Sequence, residues 1–342
     1  MSFKKVFSPS SSRFCSLCMC VFMLLSFSSC VQNLSESAEK EGRLKVVNWN
    51  VQTFFDAVTT GDEYTEFVRS GRWGKDAYIE RLKRLCSVIK NLDADVFVME
   101  EIENESVVHD ISNFLAGEWD REKVYADACF AREEGSAIGC AVLSRVPVAS
   151  MTVHSLDVRS EEEDMPRMRP LMEVRLVSGQ KEITLMVNHW KSKSGGEEET
   201  EKWRNREEGV LAELTAGAVA EGRAVLILGD FNRDINDFSL TRSGDVVLRY
   251  WKDGSLMEDG VKVSSPWFLA GHKLLQPGSY YYQDEWSRID NMFAAGAAEI
   301  LDFYPAVEGE WCDSHTFVPN RYLIWNGNGY SDHLPIVCVV RF

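Results

Sequence analysis

Five apolar runs of strand length in this sequence each end at, or lead from, a side chain able to hold a metal ion or a phosphate. Val46-Val47-Asn48-Trp49 runs into Asn50, and Val96-Phe97-Val98-Met99 into Glu100 and Glu101. Leu185-Met186-Val187 runs into Asn188 and His189, and Val225-Leu226-Ile227-Leu228-Gly229 into Asp230, Phe231 and Asn232. Tyr330-Ser331 leads through Asp332 and His333 into Leu334-Pro335-Ile336-Val337. A strand end aims a side chain while leaving it at the sheet rim, where a substrate can reach it. One such coincidence means little; five are hard to explain by core packing. The chain must fold into sheets whose rims converge on one pocket.

The remaining pattern alternates strands, helices and tight turns. Lys75 to Leu92 carries Ile79, Leu82, Leu85, Cys86 and Ile89 at the spacing of one helix face. Residues 107–119 and 199–220 read as further helices. Residues 44–49, 95–99, 137–143, 171–176, 183–188, 224–228, 289–293 and 334–340 read as strands. The stretch 241–282 is weakly periodic and rich in turn residues, so it is expected to form loops around the pocket. No repeat or linker interrupts 43–342, which is expected to be a single domain.

The first 29 residues carry only Lys4, Lys5 and Arg13 as charges, followed by an apolar run too short for a good membrane span. This is the layout of an export leader. Phe27-Ser28-Ser29-Cys30 resembles a bacterial lipobox, which implies a lipid on Cys30 and a membrane tether through it. Residues 30–42 read as a polar tether. The protein is therefore expected to be exported, either anchored in the bacterial cell envelope or released to the periplasm or medium. Beyond Cys30 the cysteines are Cys86, Cys129, Cys140, Cys312 and Cys338. Their apolar neighbours suit buried thiols, with a Cys129–Cys140 pair as the alternative in an oxidising compartment.

Lys and Arg number 37 against 53 Asp and Glu, a net charge of −16. Bulk charge therefore cannot draw a polyanion to this protein. A phosphate-bearing substrate would need a local cation. Glu101 and Asp332 are hard oxygen ligands, Asp230 could be another, and Mg²⁺ needs only one or two such carboxylates. Asn50 and Asn232 can donate to phosphate oxygen or accept a metal. His189 and His333 titrate near neutrality and can move protons, and Asp290, in Ser287-Arg288-Ile289-Asp290, could orient one of them.

Asn48-Trp49-Asn50-Val51, Met99-Glu100-Glu101, Asn188-His189-Trp190-Lys191-Ser192-Lys193, Gly229-Asp230-Phe231-Asn232, Ser287-Arg288-Ile289-Asp290 and Ser331-Asp332-His333-Leu334-Pro335-Ile336 follow in this order. Together they resemble the endonuclease/exonuclease/phosphatase superfamily, the deoxyribonuclease-I-like proteins, and within it the secreted bacterial nucleases. The resemblance implies an α/β fold, a four-layer α-β-β-α sandwich of two mostly antiparallel sheets flanked by helices. It implies a Mg²⁺-dependent phosphodiesterase, with Mn²⁺ or Ca²⁺ able to use the same oxygens. Glu101 would be the main metal ligand, with Asn50 and Asp332 beside it. His333 would be the general base, oriented by Asp290. Asp230 and Asn232 would hold the nucleophile and the scissile phosphate, and His189 would contact phosphate and protonate the leaving oxygen. Arg169, in Arg167-Met168-Arg169-Pro170, together with Asn188 and Lys191, would bind phosphate. The implied partner is nucleic acid; no protein partner is inferable.

The sequence departs from the family pattern at two positions. Gln52 stands where Asp or Asn is frequent, leaving its amide oxygen as a further ligand, and Glu100 stands where Gln is frequent. The Glu133-Glu134 region is where a carboxylate supporting His189 is sought. Sphingomyelinases and inositol-phosphate phosphatases share the scaffold, as would a non-catalytic surface binding protein. The apolar segment Ser265-Pro266-Trp267-Phe268-Leu269 is the one candidate for a membrane-inserting hairpin of the sphingomyelinase kind.

Overall fold

The computed structural model describes residues 42–156, 165–271 and 273–342. The leader, Cys30, the tether before Gly42 and the acidic run 161–164 lie outside them. In chain order the strands of the two large sheets are β1 (Arg43–Phe54), β2 (Val96–Ile102), β3 (Asp127–Ala131), β4 (Gly139–Ser144), β5 (Val148–His154), β6 (Leu171–Ser178), β7 (Lys181–His189), β8 (Ala224–Asp230), β9 (Asp290–Gly296), β10 (Glu299–Pro305) and β11 (Ile336–Arg341). The helices are α1 (Thr65–Arg69), α2 (Lys75–Leu92), α3 (Glu105–Glu118) and α4 (Glu197–Ala220).

A six-stranded sheet runs β10-β11-β1-β2-β4-β3 and a five-stranded sheet runs β9-β8-β7-β6-β5. Each contains one parallel pair, β1 with β2 and β7 with β8, among antiparallel neighbours. Strand alternation assigns the layers. Val47, Trp49 and Val51 of β1 and Phe97 and Met99 of β2 pack with Leu82, Leu85 and Ile89 of α2 and Ile111 and Leu115 of α3. Leu44, Val46, Val96 and Val98 face the other way, into a core shared with β6–β9. That core also takes Trp203, Leu211 and Ala218 of α4. Helices thus flank both sheets, and the mostly antiparallel four-layer sandwich is observed.

The long helix over 75–92 matches its periodicity. The second starts at Glu105 because the Asn104 side chain accepts from the Val107 amide at 3.1 Å, an N-cap. The expectation of loops over 241–282 is corrected. Val246–Lys252 and Ser255–Val263 form an antiparallel hairpin against α4. Trp267 is buried and donates its indole N–H to the Asp290 carbonyl at 3.1 Å, so 265–269 is no exposed insertion hairpin. Cys86, Cys129, Cys140, Cys312 and Cys338 are free, and Cys129 pairs in register with Val142, not Cys140. Among the described residues no helix is long and apolar enough to cross a membrane.

Candidate active site

The inward parity of β1 and β2 carries Asn48, Asn50 and Glu100 along the same faces as Val46 and Val98. Across the interlayer, sheet register brings three side chains level. His189 pairs with Asp230 across the parallel β7–β8 ladder, and Asp230 with Asp290 across β8–β9. The two sheet rims then meet. The Asn50 amide donates to Asp230 Oδ2 at 2.9 Å and to Glu101 Oε1 at 3.2 Å. His189 Nε2 lies 3.7 Å from Asp230 Oδ2 and 3.9 Å from Glu101 Oε1.

His333 enters from the segment before β11. Trp49 donates its indole N–H to the His333 carbonyl at 2.9 Å, and Ser331 Oγ donates to the Asn50 carbonyl at 2.6 Å. The imidazole is thereby set so that Nδ1 lies 2.9 Å from Asp290 Oδ2. Nε2 points towards Asp332 Oδ1 at 4.0 Å, and Arg321 Nε lies 4.0 Å from the other oxygen of Asp332. Tyr280 packs its ring 4.7 Å from the His333 ring and stacks on Tyr282, which is exposed.

The electrostatics show one imbalance. Burial pushes the Asp230 carboxyl up to about 7, with Asp290 adding to the rise. Burial opposes charge on His333, yet Asp290, Asp230 and Asp332 outweigh it and hold the imidazole well above its ordinary pKa. His189 moves the other way. Burial, helped by Arg169 and His333, holds it neutral, and its Nδ1 has no partner. No carboxylate, from Glu133-Glu134 or elsewhere among the described residues, supports it there. Glu100 is fully buried behind the site, with Asp290 and Asp230 nearby, and its carboxyl is raised well above 4.5. The pocket therefore gathers more buried carboxyl groups than its own cations keep ionised. The carboxylate oxygens of Glu101 and Asp230 are hard donors that fit a divalent cation, while the Asn50 side chain bridges them through its amide nitrogen and accepts the Gln52 amide on its oxygen at 2.9 Å. Asp230, Asp290 and His333 also offer atoms within 4.8 Å of one another. With His333 Nδ1 already engaged by Asp290, that trio is better described as a carboxylate–imidazole pair beside a carboxylate than as a ligand cage.

Other expected residues divide. Asn232, in the left-handed region at φ 47°, donates to the Trp190 carbonyl at 3.0 Å, and Arg169 Nη1 donates to the same oxygen at 2.8 Å. Both stand at the mouth beside His189. Lys191 Nζ folds onto its own loop, donating to the Ser192 carbonyl at 3.2 Å. Asn188 is corrected. Its amide donates to the Met186 carbonyl at 2.8 Å and its oxygen accepts the Trp190 indole at 3.1 Å, so it braces the β7 end and faces no phosphate. Trp190 is fully buried against Phe231 and Phe238. Gln52 as a further ligand is also corrected. Its amide nitrogen donates to the Tyr322 carbonyl at 3.2 Å and its oxygen accepts the Tyr322 amide at 2.9 Å. Glu100 turns into the interlayer, where Asn48 donates to it at 3.3 Å.

Glu100 yields a test. An acid whose folded pKa lies above its unfolded value costs stability as pH rises from the unfolded value through the folded one. Gln keeps the shape and cannot ionise. Glu100→Gln should match wild type in Tm near pH 4.5 and exceed it at pH 8 by at least about 2–4 °C, the shift 1 kcal/mol gives a domain of this class. A Tm difference that stays constant across that range would show that the carboxyl is not held neutral.

Comparisons with known proteins agree on the family. The model of the Endonuclease/Exonuclease/phosphatase family matches residues 45–341. Comparison with curated proteins gave no match. Among solved structures, TDP2 from Caenorhabditis elegans is similar, with TM-score 0.56 and 16% identity over 88% of this chain and 74% of that one. ANGEL2, described as a 2′,3′-cyclic phosphatase and solved with adenosine-2′,3′-vanadate, has TM-score 0.57 and 13% identity over 89% and 96%. D. rerio TDP2, solved with a single-strand DNA product, has TM-score 0.51 and 16% identity over 88% and 100%. At these identities the likeness speaks for the fold, and the family match spans nearly the whole described body. The chain belongs to the endonuclease/exonuclease/phosphatase family, hydrolases of phosphate esters.

Proposed function

We propose that this protein is a divalent-cation-dependent phosphodiesterase that cleaves nucleic acid, with His333 as its general base. The observation that carries this reading is the His333–Asp290 pair, 2.9 Å apart, beside the carboxylates of Glu101 and Asp230 that the Asn50 amide bridges. Glu101 and Asn50 would hold the cation, Mg²⁺ first and Mn²⁺ or Ca²⁺ as substitutes. When bound, it offsets phosphate charge and stabilises the pentacovalent transition state.

Everything else falls to the chain's own groups. Asp290 accepts from Nδ1 of His333, fixing the tautomer that leaves Nε2 free to take a proton from water. Asp332 and Asp230 bias that ring towards the proton it receives. Asp230 and Asn232 position the water and the phosphate oxygens. His189, buried and neutral in the free protein, would take up a proton from solvent once the negative charge of a phosphate stands against Nε2, and pass that proton to the leaving oxygen. Arg169 supplies local positive charge that the whole protein lacks, and Lys191 could add to it by swinging off its own loop. The Tyr280–Tyr282 stack offers an aromatic face beside His333 on which a base can lie.

Two considerations favour a single strand or short fragment over a tracked duplex, and a third disfavours a sphingomyelinase. Net charge is strongly negative, which disfavours extended backbone contact. D. rerio TDP2 is described with a single-strand DNA product, and ANGEL2 with an adenosine derivative. The burial of Trp267 removes the membrane-insertion segment that a sphingomyelinase reading would use. We further propose export through the leader and anchorage by a lipid on Cys30.

Plasmid nicking and single-strand cleavage with Mg²⁺, with and without EDTA, test the reading. Sphingomyelin, inositol phosphates and bis-p-nitrophenyl phosphate would be run in parallel. Activity on nucleic acid that EDTA abolishes and Mg²⁺ restores is expected. Undiminished hydrolysis after the divalent ions are stripped would rule out the cation, and turnover of sphingomyelin alone would reassign the substrate.

A further inference from the structure

Three non-glycine backbones in the left-handed region meet beside the oxygen cluster. Gln52 (φ 53°) and Thr53 (φ 46°) follow one another where β1 leaves its ladder, and Glu101 (φ 66°) sits at the bulge in β2. Side chains with a Cβ are disfavoured there, and two in succession are uncommon. Besides the Asn50 bond to Glu101 Oε1, the turn itself is tied to the bulge. The Thr53 amide donates to Glu101 Oε2 at 2.5 Å.

Arg81 of α2 lies beneath this turn, almost wholly buried. Nη1 donates to the Thr53 carbonyl at 2.9 Å, and Nη2 donates to the Val51 carbonyl at 3.0 Å and to the Gln52 carbonyl. Its guanidinium lies 3.6 Å from the Tyr322 ring centre and 4.7 Å from that of Phe54. A buried cation spent on three consecutive neutral carbonyls is a costly way to close a turn. What that turn delivers is the Thr53 amide, and through it the aim of the Glu101 carboxylate.

We propose that Arg81 is a positioning residue for the cation site: by clamping residues 51–53 in the left-handed form it fixes the Thr53 amide and so orients Glu101. The inference rests on Glu101 being a cation ligand, as read above. Arg81 touches neither substrate nor cation and acts through two linked hydrogen-bond steps. Partners of this supporting kind typically alter metal affinity about 10–100-fold when removed.

The test uses the full-length protein and Mn²⁺ as probe, with affinity read by titration calorimetry and Tm read without metal. Arg81→Met should weaken Mn²⁺ binding by about 10–100-fold, and at saturating Mn²⁺ should recover most of kcat on bis-p-nitrophenyl phosphate with KM unchanged. Arg81→Lys, which keeps the charge in its pocket but cannot span three carbonyls, should fold if the Met variant does not, with a smaller loss in the same direction. The discriminating variant is Arg81→Met combined with Thr53→Gly. Glycine occupies the left-handed region freely, so it should restore much of the affinity although Thr53 contributes no side chain to the site. A variant with lowered Tm and wild-type Mn²⁺ affinity would overturn the proposal, as would an affinity loss that Thr53→Gly leaves untouched. If wild type itself bound no Mn²⁺, the cation reading would fail first and this inference with it.

Discussion

His333→Ala should lower kcat by about 10²–10⁴-fold, the usual contribution of one well-placed acid–base group, while leaving the fold in place. The backbone of His333 is held independently of its ring, since Trp49 donates to its carbonyl at 2.9 Å and its amide donates to Ser331 Oγ at 3.1 Å. Truncation therefore removes chemistry without untying the loop, though it leaves Asp290 buried and unpaired and so lowers Tm. Asp290→Asn is the companion, since an amide at 2.9 Å can no longer stabilise the protonated ring. The pH profile adds an independent check. The surrounding carboxylates hold His333 well above its ordinary pKa, so the free protein carries it charged near neutrality and activity must climb with pH on that limb. A cation at Glu101 would offset the same carboxylates, so the limb should move to lower pH as Mg²⁺ rises. Unchanged turnover in His333→Ala, measured at saturating Mg²⁺ with circular dichroism to verify folding, would remove the general-base assignment.

Gly229→Ala should be at least as damaging, through backbone alone. Gly229 sits at φ 141°, and a Cβ there would lie 1.9 Å from the Asn188 carbonyl oxygen. No real contact is that short, and the obstacle is backbone of the paired strand, so β7 and β8 would have to part. The next residue on each strand is His189 and Asp230. We expect more than about 4–5 kcal/mol of destabilisation, the range reached by few single substitutions, or no soluble protein. Any folded fraction should have lost the register that aligns His189 with Asp230. Gly222→Ala is the control. It shares a positive φ of 77° but meets nothing within 4 Å, and should cost only about 1–2 kcal/mol, the left-handed penalty of a Cβ. Equal Tm values for the two variants would contradict the steric argument.

Most of the framework was legible because its signals were local. Lys75–Leu92 presents a clean helical face, and the buried runs of β2 and β8 end abruptly at polar residues. The edge strands escaped because they are hardly buried. Residues along β5 and β10 lie mainly open to solvent, so no apolar run marks them. The hairpin of Val246–Lys252 and Ser255–Val263 was missed for the same reason, since its second strand is largely exposed. Within the site the difficulty was parity. β7 is buried on both faces from Ile183 to His189, so nothing in its hydrophobicity tells whether Asn188 or His189 points into the pocket. Gln52 and Glu100 are ambiguous in the sequence, because only their partners Tyr322 and Asn48, far away along the chain, show which way each turns. Arg81 is one of several charged residues in Lys75–Leu92, and nothing short of its tertiary partners marks it as buried.

The lateral alignment of His189, Asp230 and Asp290 has a consequence for how such an enzyme could be altered. Neighbouring strands keep a repeat of about 4.8 Å, so the reactive groups are spaced by a lattice and not by the connections between strands. Within the long segment joining Pro305 to Ile336, Trp311 is buried in the core and Tyr322 holds Gln52 and covers Arg81, so it is the exposed stretch 313–317 that can be lengthened, shortened or exchanged without disturbing that ruler. Redesign for a new substrate should therefore begin with that exposed stretch and leave the lattice alone.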